Sequence, residues 1–444
     1  MKKITIIGFA RSGEAAAYLA LSDGFTVLVS DSCDSEETRV RAEKLRAEGA
    51  EVEIGEHSEK VYSCEMIVLS PGVPLNAPVI IEAKRRGIPV ISEIEFAFGY
   101  ERGKVVAITG SNGKSTTATL EAKIFTDAGI NTILAGNIGN PYSANVAKTS
   151  ADSVTVLELS SFQLEALEIF HADVAVLLNL SPDHLDRYKT VEDYYAAKFH
   201  IFDRQSESDY AALSHDQSEI ASLGNEISSQ TLWFSSSQQI SSGAFVKNEM
   251  IMRNSEEIIP VSELGIPGPH NLANALAAVA ATIPFGIPAD SIANSLREFT
   301  GIEHRLERFL EHNGILFVND SKATNPDSLK YALLSFDRPI VLIAGGYDKG
   351  SDFIFLQNLF SNSVKAVVFT GATGQKMATQ LAAGVLYSCV VPDFEKAVDR
   401  AISLAKKGDV VLLSPGCASF DSFRNFEHRG KKFKELVENI IEIK

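Results

Sequence analysis

The segment Thr109–Thr116, which reads Thr-Gly-Ser-Asn-Gly-Lys-Ser-Thr, restricts the fold of this chain more than any other feature. The apolar run Val105–Thr109 leads into it, and a helical pattern follows it to about Ala128. A glycine-containing turn between a strand and a helix places backbone N–H groups and the positive end of the helix dipole around one point, which favours a phosphate group. The spacing therefore predicts a phosphate-binding loop at the carboxyl end of a strand in an α/β fold.

The residue types inside this loop predict how a nucleotide phosphate is held. Lys114 supplies a positive charge, and the hydroxyl of Ser115 or Thr116 can ligate Mg²⁺. Only two residues separate Gly110 from Gly113, whereas four stand between the glycines of the usual loop. A Gly-Lys-Ser sequence in an ordinary turn is the alternative, which the flanking strand and helix disfavour. The predicted nucleotide-binding residues of the loop are Gly110, Ser111, Asn112, Gly113, Lys114, Ser115 and Thr116.

Alternating strand and helix patterns in the rest of the chain predict further parallel sheets. A chain of 444 residues is too long for one core. The polar stretch Tyr100–Lys104 and the change of pattern near Phe299–Gly301 predict three domains, at residues 1–100, 101–299 and 300–444. Buried strands are predicted at Ile4–Ile7, Val27–Ser30, Met66–Leu69, Val90–Ile91, Val154–Leu157, Val174–Leu178, Ile315–Val318, Ile340–Ala344, Ala366–Phe369 and Val410–Leu413.

One segment of the predicted central domain lacks a clear pattern. Residues 214–243 are rich in serine and glutamine and contain Trp233. We expect exposed short strands and turns there, with a disordered insert as the alternative.

Composition argues against several classes of function. The formal charge of −16 disfavours a general nucleic-acid surface, which needs basic patches to neutralise phosphates. The four scattered cysteines form no C-x-x-C pair, so neither a zinc site nor a redox motif is indicated, and a reducing compartment fits. No stretch approaches the roughly 20 apolar residues of a membrane span. We therefore expect a soluble cytoplasmic protein that binds neither nucleic acid nor membrane. We also expect a monomer, on which composition is silent.

A second glycine-containing turn, Gly8–Gly13, follows the first predicted strand. Its position is that of a dinucleotide fingerprint, but Ala10 replaces the middle glycine, which permits close approach of a pyrophosphate. Asp31, at the end of the second strand, can accept a hydrogen bond from a ribose hydroxyl. An ordinary turn with a strand cap explains these residues equally well. On this segment alone, a nicotinamide-dependent oxidoreductase remains an alternative.

Polar side chains also follow other predicted strands. Glu158 comes directly after Val154–Leu157, where a carboxylate can contact Mg²⁺, and His184 lies just beyond the next strand. Lys198 lies in a predicted helix, and its position alone indicates a solvated surface lysine. Four polar loops of the last domain approach or follow strand ends and together suggest one site with a cationic rim, suited to carboxylate or phosphate groups. These loops are His304–Arg305, Asn319–Pro326, Gly345–Gly350 and Ser414–Asp421.

Several long motifs, in order along the chain, resemble those of the Mur ligase family. They are Thr109–Thr116, His270-Asn271-x-x-Asn274, His304-Arg305-x-Glu307 and Asn319–Thr324. Within the family, Glu158–Leu164 and the segment from Ser414 to Glu427 are similar to the members that add D-glutamate. The resemblance spans all three predicted domains. It implies a Rossmann-like N-terminal domain for a uridine nucleotide, a central phosphate-loop ATPase domain with a parallel sheet plus a smaller antiparallel sheet, and a Rossmann-like C-terminal domain that holds the amino acid and closes over the site.

The resemblance also implies cofactors and the residues that hold them. ATP and two Mg²⁺ ions are expected. Lys114 resembles the lysine that contacts the transferred phosphoryl group, and Ser115, Glu158 and His184 resemble magnesium-site residues. Lys198 resembles a carbamylated lysine whose added carboxylate serves the second Mg²⁺, a role unlike that of a surface lysine. Lys114, His184 and Lys198 are therefore the residues implied in catalysis.

Further residues are implied in substrate binding. For the UDP-linked substrate they are Ser12, Asp31, Ser32, Gly72, Asn137 and Gln163. For the nucleotide they are, beyond the loop, Asn271, Arg305, Asp320 and Lys322, and for D-glutamate they are Thr324, Lys349, Ser419 and Phe426. The chain departs from the family at Ala10-Arg11-Ser12 and Asp31-Ser32-Cys33, where members often carry Gly-Leu-Thr and Asp-Thr-Arg. Arg11 is a candidate to replace the missing arginine charge.

The reaction that the resemblance implies joins D-glutamate to UDP-N-acetylmuramoyl-L-alanine in peptidoglycan precursor synthesis. ATP phosphorylates the substrate carboxylate, and the amine of D-glutamate attacks the acyl phosphate. The alternatives are a sister ligase for another amino acid, the nicotinamide oxidoreductase and a non-catalytic nucleotide-binding regulator. The motifs Ser160–Leu164 and Asn425–Glu427 argue against the first, and the oxidoreductase leaves Thr109–Thr116 unexplained. The lysines and magnesium-type ligands disfavour the third.

Overall fold

The computed structural model of the chain describes residues 2–183, 187–348 and 351–443. It contains three α/β domains, each built on one mostly parallel sheet. The domains group into two compact units, which comprise Met1–Leu264 with Ala273–Glu298 and Gly265–Leu272 with Phe299–Lys444. The first unit holds two of the sheets, and the second unit holds the third. In the described part of the chain, no helix is long and apolar enough to cross a membrane.

The N-terminal sheet is a doubly wound parallel sheet. Its strands are β1 (Lys3–Ile7), β2 (Thr26–Asp31), β3 (Glu51–Ile54), β4 (Met66–Leu69) and β5 (Val90–Ser92). The helices are α1 (Arg11–Ser22), α2 (Glu36–Ala47), α3 (Pro78–Arg85) and α4 (Glu93–Phe98). The strand order is β3-β2-β1-β4-β5, and every pairing is parallel. The inner strands are apolar runs because helices cover both faces. Strand β3 was not among the predicted strands, because glutamates alternate with its two apolar residues.

The central sheet has nine strands. They are β6 (Lys104–Thr109), β7 (Asn131–Gly136), β8 (Ser153–Glu158), β9 (Val174–Leu177), β10 (Tyr210–Ser214), β11 (Gln230–Ser235), β12 (Gly243–Lys247), β13 (Met250–Arg253) and β14 (Glu256–Pro260). The helices are α5 (Lys114–Asp127), α6 (Ser161–Leu164), α7 (Val191–Phe199), α8 (Ser218–Leu223), α9 (Pro269–Ala281) and α10 (Ala289–Glu298). The order is β14-β13-β12-β11-β10-β9-β6-β8-β7. Only the pairings of β13 are antiparallel, so the predicted smaller antiparallel sheet is the edge of this one continuous sheet.

The serine- and glutamine-rich segment 214–243 differs from the prediction. It contains helix α8 and strand β11, and β11 lies inside the central sheet, parallel to β10 and β12. Leu232 and Phe234 are buried on either side of the half-buried Trp233, which places one face of the strand in the core. The polar composition comes from the turns around these elements, so the segment is ordered and partly buried rather than an exposed series of turns.

The C-terminal sheet has six strands, β15 (Glu307–His312), β16 (Ile315–Asn319), β17 (Ile340–Gly345), β18 (Val364–Thr370), β19 (Tyr387–Val390) and β20 (Val410–Leu413). The helices are α11 (Pro326–Leu333), α12 (Gln357–Ser363), α13 (Gly374–Leu381), α14 (Phe394–Leu404) and α15 (Phe426–Ile443). The order is β15-β16-β20-β17-β18-β19, and only the hairpin β15–β16 is antiparallel. The carboxyl ends of the parallel strands therefore lie at one edge, where three of the four polar loops begin. The fourth, His304–Arg305, leads into β15 at the same edge, because Glu307 pairs with Asn319 at the end of β16.

Buried carboxylates on α4 join the first two domains. Glu95 accepts hydrogen bonds from the backbone N–H groups of Ile169 and Phe170, at 2.6 and 3.0 Å. Glu93 accepts one from Ser143 N–H at 2.6 Å, and burial raises its pKa to about 7. These contacts fix the N-terminal sheet against the central domain, and a cavity between loops of both domains results.

Candidate active site

The predicted phosphate loop connects β6 to α5, as the sequence indicated. Gly113 has a φ of +87°, and a Cβ atom there would lie 2.2 Å from Asn274 Oδ1. Gly110 has a φ of +149°, and its Cβ atom would lie 2.9 Å from Leu178 Cβ. Both positions therefore require glycine, for backbone conformation and for space. The loop's turn brings Lys114 to the first position of the helix.

Two lysine side chains converge on this loop. Lys114 Nζ donates to the carbonyl oxygens of Gly110 and Ser111, each at 2.9 Å. Lys198 Nζ donates to the same Gly110 carbonyl at 3.0 Å and lies 4.4 Å from the centre of the Tyr194 ring. The side chain of Lys198 comes from α7 and belongs to a residue that is 1% exposed. The interpretation of Lys198 as a solvated surface lysine, made from its position alone, is therefore wrong.

The surroundings of Lys198 favour its neutral form. Burial lowers the pKa of its amine well below the ordinary value, and the positive charge of Lys114 lowers it further. The negative charge of Asp183 acts in the opposite direction but is a smaller effect. A neutral amine at this place is a nucleophile, which the ammonium form is not.

Residues directly after β9 hold the loop in shape, and they were not among the predicted site residues. Asn179 Oδ1 accepts from Asn112 N–H, and Asn179 Nδ2 donates to the Asn112 carbonyl, both at 2.9 Å. Ser111 Oγ donates to the Ser181 carbonyl and accepts from Ser181 N–H, also at 2.9 Å. The position of these residues at the carboxyl end of a buried strand beside β6 was the available signal.

Glu158 stands at the carboxyl end of β8, next to the strand that carries the phosphate loop. Its Oε1 accepts a hydrogen bond from Asn137 Nδ2 at 2.7 Å. Its Oε2 is buried and has no hydrogen-bonding partner among the described residues. A buried carboxylate oxygen without a partner is unfavourable unless a cation or donor completes its environment. A buried carboxylate oxygen is a ligand of the kind that Mg²⁺ prefers, so Glu158 fits Mg²⁺.

All six residues predicted to bind the UDP-linked substrate line one cavity of about 560 Å³. The cavity is formed by loops at the carboxyl ends of β1, β2, β3, β4 and β7 together with α6. Asn137 and Gln163 come from the central domain and the others from the N-terminal domain. The predicted residues are Ser12, Asp31, Ser32, Gly72, Asn137 and Gln163. His57, Ser70 and Gly139 also line the cavity and were not predicted.

In the second unit, Asp320 is buried at the end of β16. Its carboxylate accepts from Ser414 Oγ at 2.8 Å and from Leu306 N–H at 3.1 Å. Burial raises its pKa to about 7, although these bonds and Arg305 act to lower it. Lys322 Nζ lies 5.5 Å from the centre of the Phe426 ring. Several predicted nucleotide and D-glutamate residues are therefore clustered at the carboxyl edge of this sheet.

Arg429 is a buried cation that ties the loops of this edge together. Its guanidinium donates to Ser321 Oγ at 3.0 Å and to the carbonyls of Ser321, Cys417 and Ala418 at 2.8 to 3.1 Å. The tie fixes the loop Ser414–Asp421, in which Ser419 is buried. No sequence pattern pointed to Arg429, because an arginine in a charged helix is normally exposed.

The remaining predicted residues are placed as follows. Asn271 belongs to the second unit, where its Nδ2 donates to the Pro267 carbonyl at 2.8 Å. Thr324 follows Ala323 in the loop before α11 and is half-buried. His184 and Lys349 lie outside the described residues, so their predicted roles stay predictions.

Comparisons with known proteins agree with this arrangement. Three family models match the chain: the Mur ligase MurD-like N-terminal domain at residues 2–92, the Mur ligase middle domain at 108–282, and the Mur ligase glutamate ligase domain at 304–417. A relative from Alkaliphilus metalliredigens, named UDP-N-acetylmuramoylalanine--D-glutamate ligase, is 41% identical over 99% of this chain and 98% of its own length. A relative of the same name from Pelotomaculum thermopropionicum is 42% identical over 98% and 97%.

The chain belongs to the Mur ligase family.

The fold agrees with solved Mur ligase structures. The MurF ligase from Thermotoga maritima, solved in complex with ADP, superposes with a TM-score of 0.65 at 17% sequence identity and covers 94% of this chain and 95% of that one. Family membership confirms the resemblance inferred from the motifs. It also removes the nicotinamide oxidoreductase, which rested on the Gly8–Gly13 turn alone.

Proposed function

We propose that this Mur ligase joins D-glutamate to UDP-N-acetylmuramoyl-L-alanine at the expense of ATP, a step of peptidoglycan precursor synthesis. The names of relatives at 41% and 42% identity support the choice of substrates. The observation that carries the proposal is the position of Glu158. Its carboxylate binds Asn137, which lines the substrate cavity, and it stands on the strand beside the phosphate loop.

The phosphate loop and Lys114 are proposed to hold the nucleotide. Lys114 Nζ donates to two carbonyls of its own loop, so it is already directed into the turn where phosphate oxygens would bind. The neighbouring charge of this lysine would stabilise negative charge on the transferred phosphoryl group. In the second unit, Asn271, Arg305, Asp320 and Lys322 are proposed nucleotide contacts.

Two Mg²⁺ ions are proposed, held by Ser115, Glu158, His184 and carbamylated Lys198. The partnerless Oε2 of Glu158 supports a cation at that oxygen. Bound Mg²⁺ would neutralise charge on the phosphate oxygens. Lys198 supports carbamylation because its buried amine is held neutral: the nitrogen forms a bond to CO₂ and releases a proton, and the carbamate anion then lies near the Lys114 charge.

The proposed reaction has two steps. An oxygen of the L-alanine carboxylate attacks the γ-phosphorus of ATP, the bond to ADP breaks, and an acyl phosphate forms. The amine of D-glutamate then attacks the acyl carbon, phosphate leaves, and the nitrogen loses a proton to give the amide. Thr324, Lys349, Ser419 and Phe426 are the proposed D-glutamate residues. The buried tie of Arg429 supports this for Ser419, since it fixes that loop.

The domain boundaries 1–100, 101–299 and 300–444 are likewise a proposal. Each range encloses one of the three sheets, although residues 265–272 group with the second compact unit. A cytoplasmic location and a monomeric state stay predictions, and so does the absence of nucleic-acid and membrane partners.

The test is phosphate release from ATP with Mg²⁺ and UDP-N-acetylmuramoyl-L-alanine. We expect release that depends on D-glutamate and not on L-glutamate, L-alanine, L-lysine or diaminopimelate. Release with one of the others would replace the proposal by a sister ligase, and no release would favour a nucleotide-binding regulator. Lys114→Ala should lower kcat by about 100-fold or more, because the loss of one such electrostatic contact has effects of this order. Wild-type turnover in Lys114→Ala would contradict its role.

A further inference from the structure

The two ends of the 560 Å³ cavity are chemically different. At one end, Asn137 is bonded to Glu158, so the reacting carboxylate of the proposed substrate belongs there. Strand β5, whose Ser92 N–H donates to the Ala166 carbonyl of the central domain, is one edge strand of the N-terminal sheet. Strands β2 and β3 form the opposite edge, so the loops after them are available to the nucleoside of the substrate.

The loop after β3 carries His57 and is fixed in place. Gly55 N–H donates to the Asp31 carbonyl at 2.8 Å, which continues the pairing of β3 with β2. Ser58 N–H donates to Glu53 Oε2 at 3.3 Å at the other end of the loop. His57 therefore faces the cavity from a supported position. Arg11 also lines the cavity, as an exposed residue at the start of α1.

One nitrogen of the His57 ring is committed to the protein. Nδ1 lies 2.8 Å from the Oγ atom of Ser30, a residue with no exposed surface. A buried hydroxyl loses a hydrogen bond unless it can donate, and Nδ1 is the partner of this hydroxyl among the described residues. With Ser30 Oγ–H donating to Nδ1, the proton of the neutral ring is on Nε2, at the edge of the ring away from Ser30.

Asp31 is less available for the nucleoside than its position suggests. One carboxylate oxygen accepts from Phe9 N–H, and the other accepts from Cys33 N–H at 2.7 Å. Both oxygens therefore already support the turns around the cavity. His57 adds a side chain with a ring nitrogen to the polar residues Arg11, Ser12 and Ser32 that line the cavity there.

We propose that His57 is a specificity residue for the nucleoside of the UDP-linked substrate, with Nε2–H donating to an oxygen of the uracil or ribose. The inference rests on the proposed function for the identity of that substrate. In this arrangement, the loops after β2 and β3 recognise the nucleoside, and the residues near Asn137 recognise the muramoyl part of the substrate.

The test compares two replacements of His57 on two substrates. Asparagine can keep a group near the Nδ1 position, and with it the contact to Ser30, but it lacks a donor at the Nε2 position; glutamine reaches that position. The substrates are UDP-N-acetylmuramoyl-L-alanine and N-acetylmuramoyl-L-alanine 1-phosphate, which lacks the uridine. His57→Asn should raise the KM of the UDP-linked substrate by about 3- to 10-fold, the effect of one hydrogen bond, and leave kcat and the KM of the 1-phosphate unchanged. His57→Gln should recover most of the loss.

Binding of UDP alone, measured by calorimetry, gives a readout that does not require ligase activity. His57→Asn should weaken UDP binding by the same factor, and His312→Gln, a change at an exposed strand residue of the C-terminal domain, should leave it unaltered. Unchanged UDP binding in His57→Asn, or an equal rise of KM for both substrates, would overturn the inference. A wild-type protein that binds UDP through His57 but releases no phosphate would contradict the proposed reaction instead.

Discussion

Replacing Lys198 by methionine should make the protein more stable and inactive. The lysine and methionine side chains have similar length, but the methionine thioether is apolar and does not bind a proton. Burial and the charge of Lys114 hold the pKa of Lys198 well below its ordinary value of 10.5. In the pH range between the folded and unfolded pKa values, the unfolded chain binds one proton that the folded chain does not. Unfolding therefore becomes harder as pH rises.

The magnitude follows from this proton difference. Within that range, the free energy of unfolding of the wild type should rise by about 1.4 kcal/mol per pH unit relative to Lys198→Met. Urea titrations in CO₂-free buffer at pH 8.5 and 9.5 measure the difference directly. The exposed Lys189→Met is the matched control and should give no such slope.

Bicarbonate adds a second readout. A carbamate that forms only on the folded wild type should stabilise it in proportion to the logarithm of CO₂ concentration, and the methionine variant should not respond. Bicarbonate should also fail to restore activity to the variant. Parallel pH curves for the wild type and Lys198→Met would refute the reasoning, because they would show that the folded protein does not hold this amine neutral.

Two other predictions follow from single positions. Gly113→Ala should abolish ATP-dependent phosphate release, because its Cβ atom would lie 2.2 Å from Asn274 Oδ1. Gly129→Ala is the control for backbone strain, since Gly129 has a similar φ of +82° and open space around it, and this variant should keep activity. Equal losses of activity in both variants would contradict the steric explanation. Glu93→Gln should reduce the dependence of the free energy of unfolding on pH. Because the folded protein raises the pKa of Glu93 to about 7, the free energy of unfolding of the wild type should fall by about 3 kcal/mol as pH rises from 4.5 to 7. Unfolding titrations that show the same slope in both proteins would disprove this prediction.

Local sequence patterns determined much of this protein. Apolar runs predicted all the inner strands of the first and last sheets, because a strand covered on both faces must be apolar along its whole length. The glycine spacing of Thr109–Thr116 predicted the loop, since a phosphate loop requires glycine backbone conformations at fixed positions. Strand β3 was not predicted because it lies at an edge and its glutamates alternate with apolar residues. Strand β11 was not predicted because its two buried residues, Leu232 and Phe234, lie within a serine-rich segment.

Only the tertiary structure decided which side chains meet. Lys198 looks like a surface lysine within α7, and its burial against Gly110, 88 residues away, results from packing of that helix on the loop. The six cavity residues come from segments as far apart as Ser12 and Gln163. The buried carboxylates of α4 fix the two domains around this cavity, and no local sequence pattern indicates those contacts. Sequence periodicity reports which face of an element is apolar, whereas a site depends on contacts between distant segments, which form only when the domains pack.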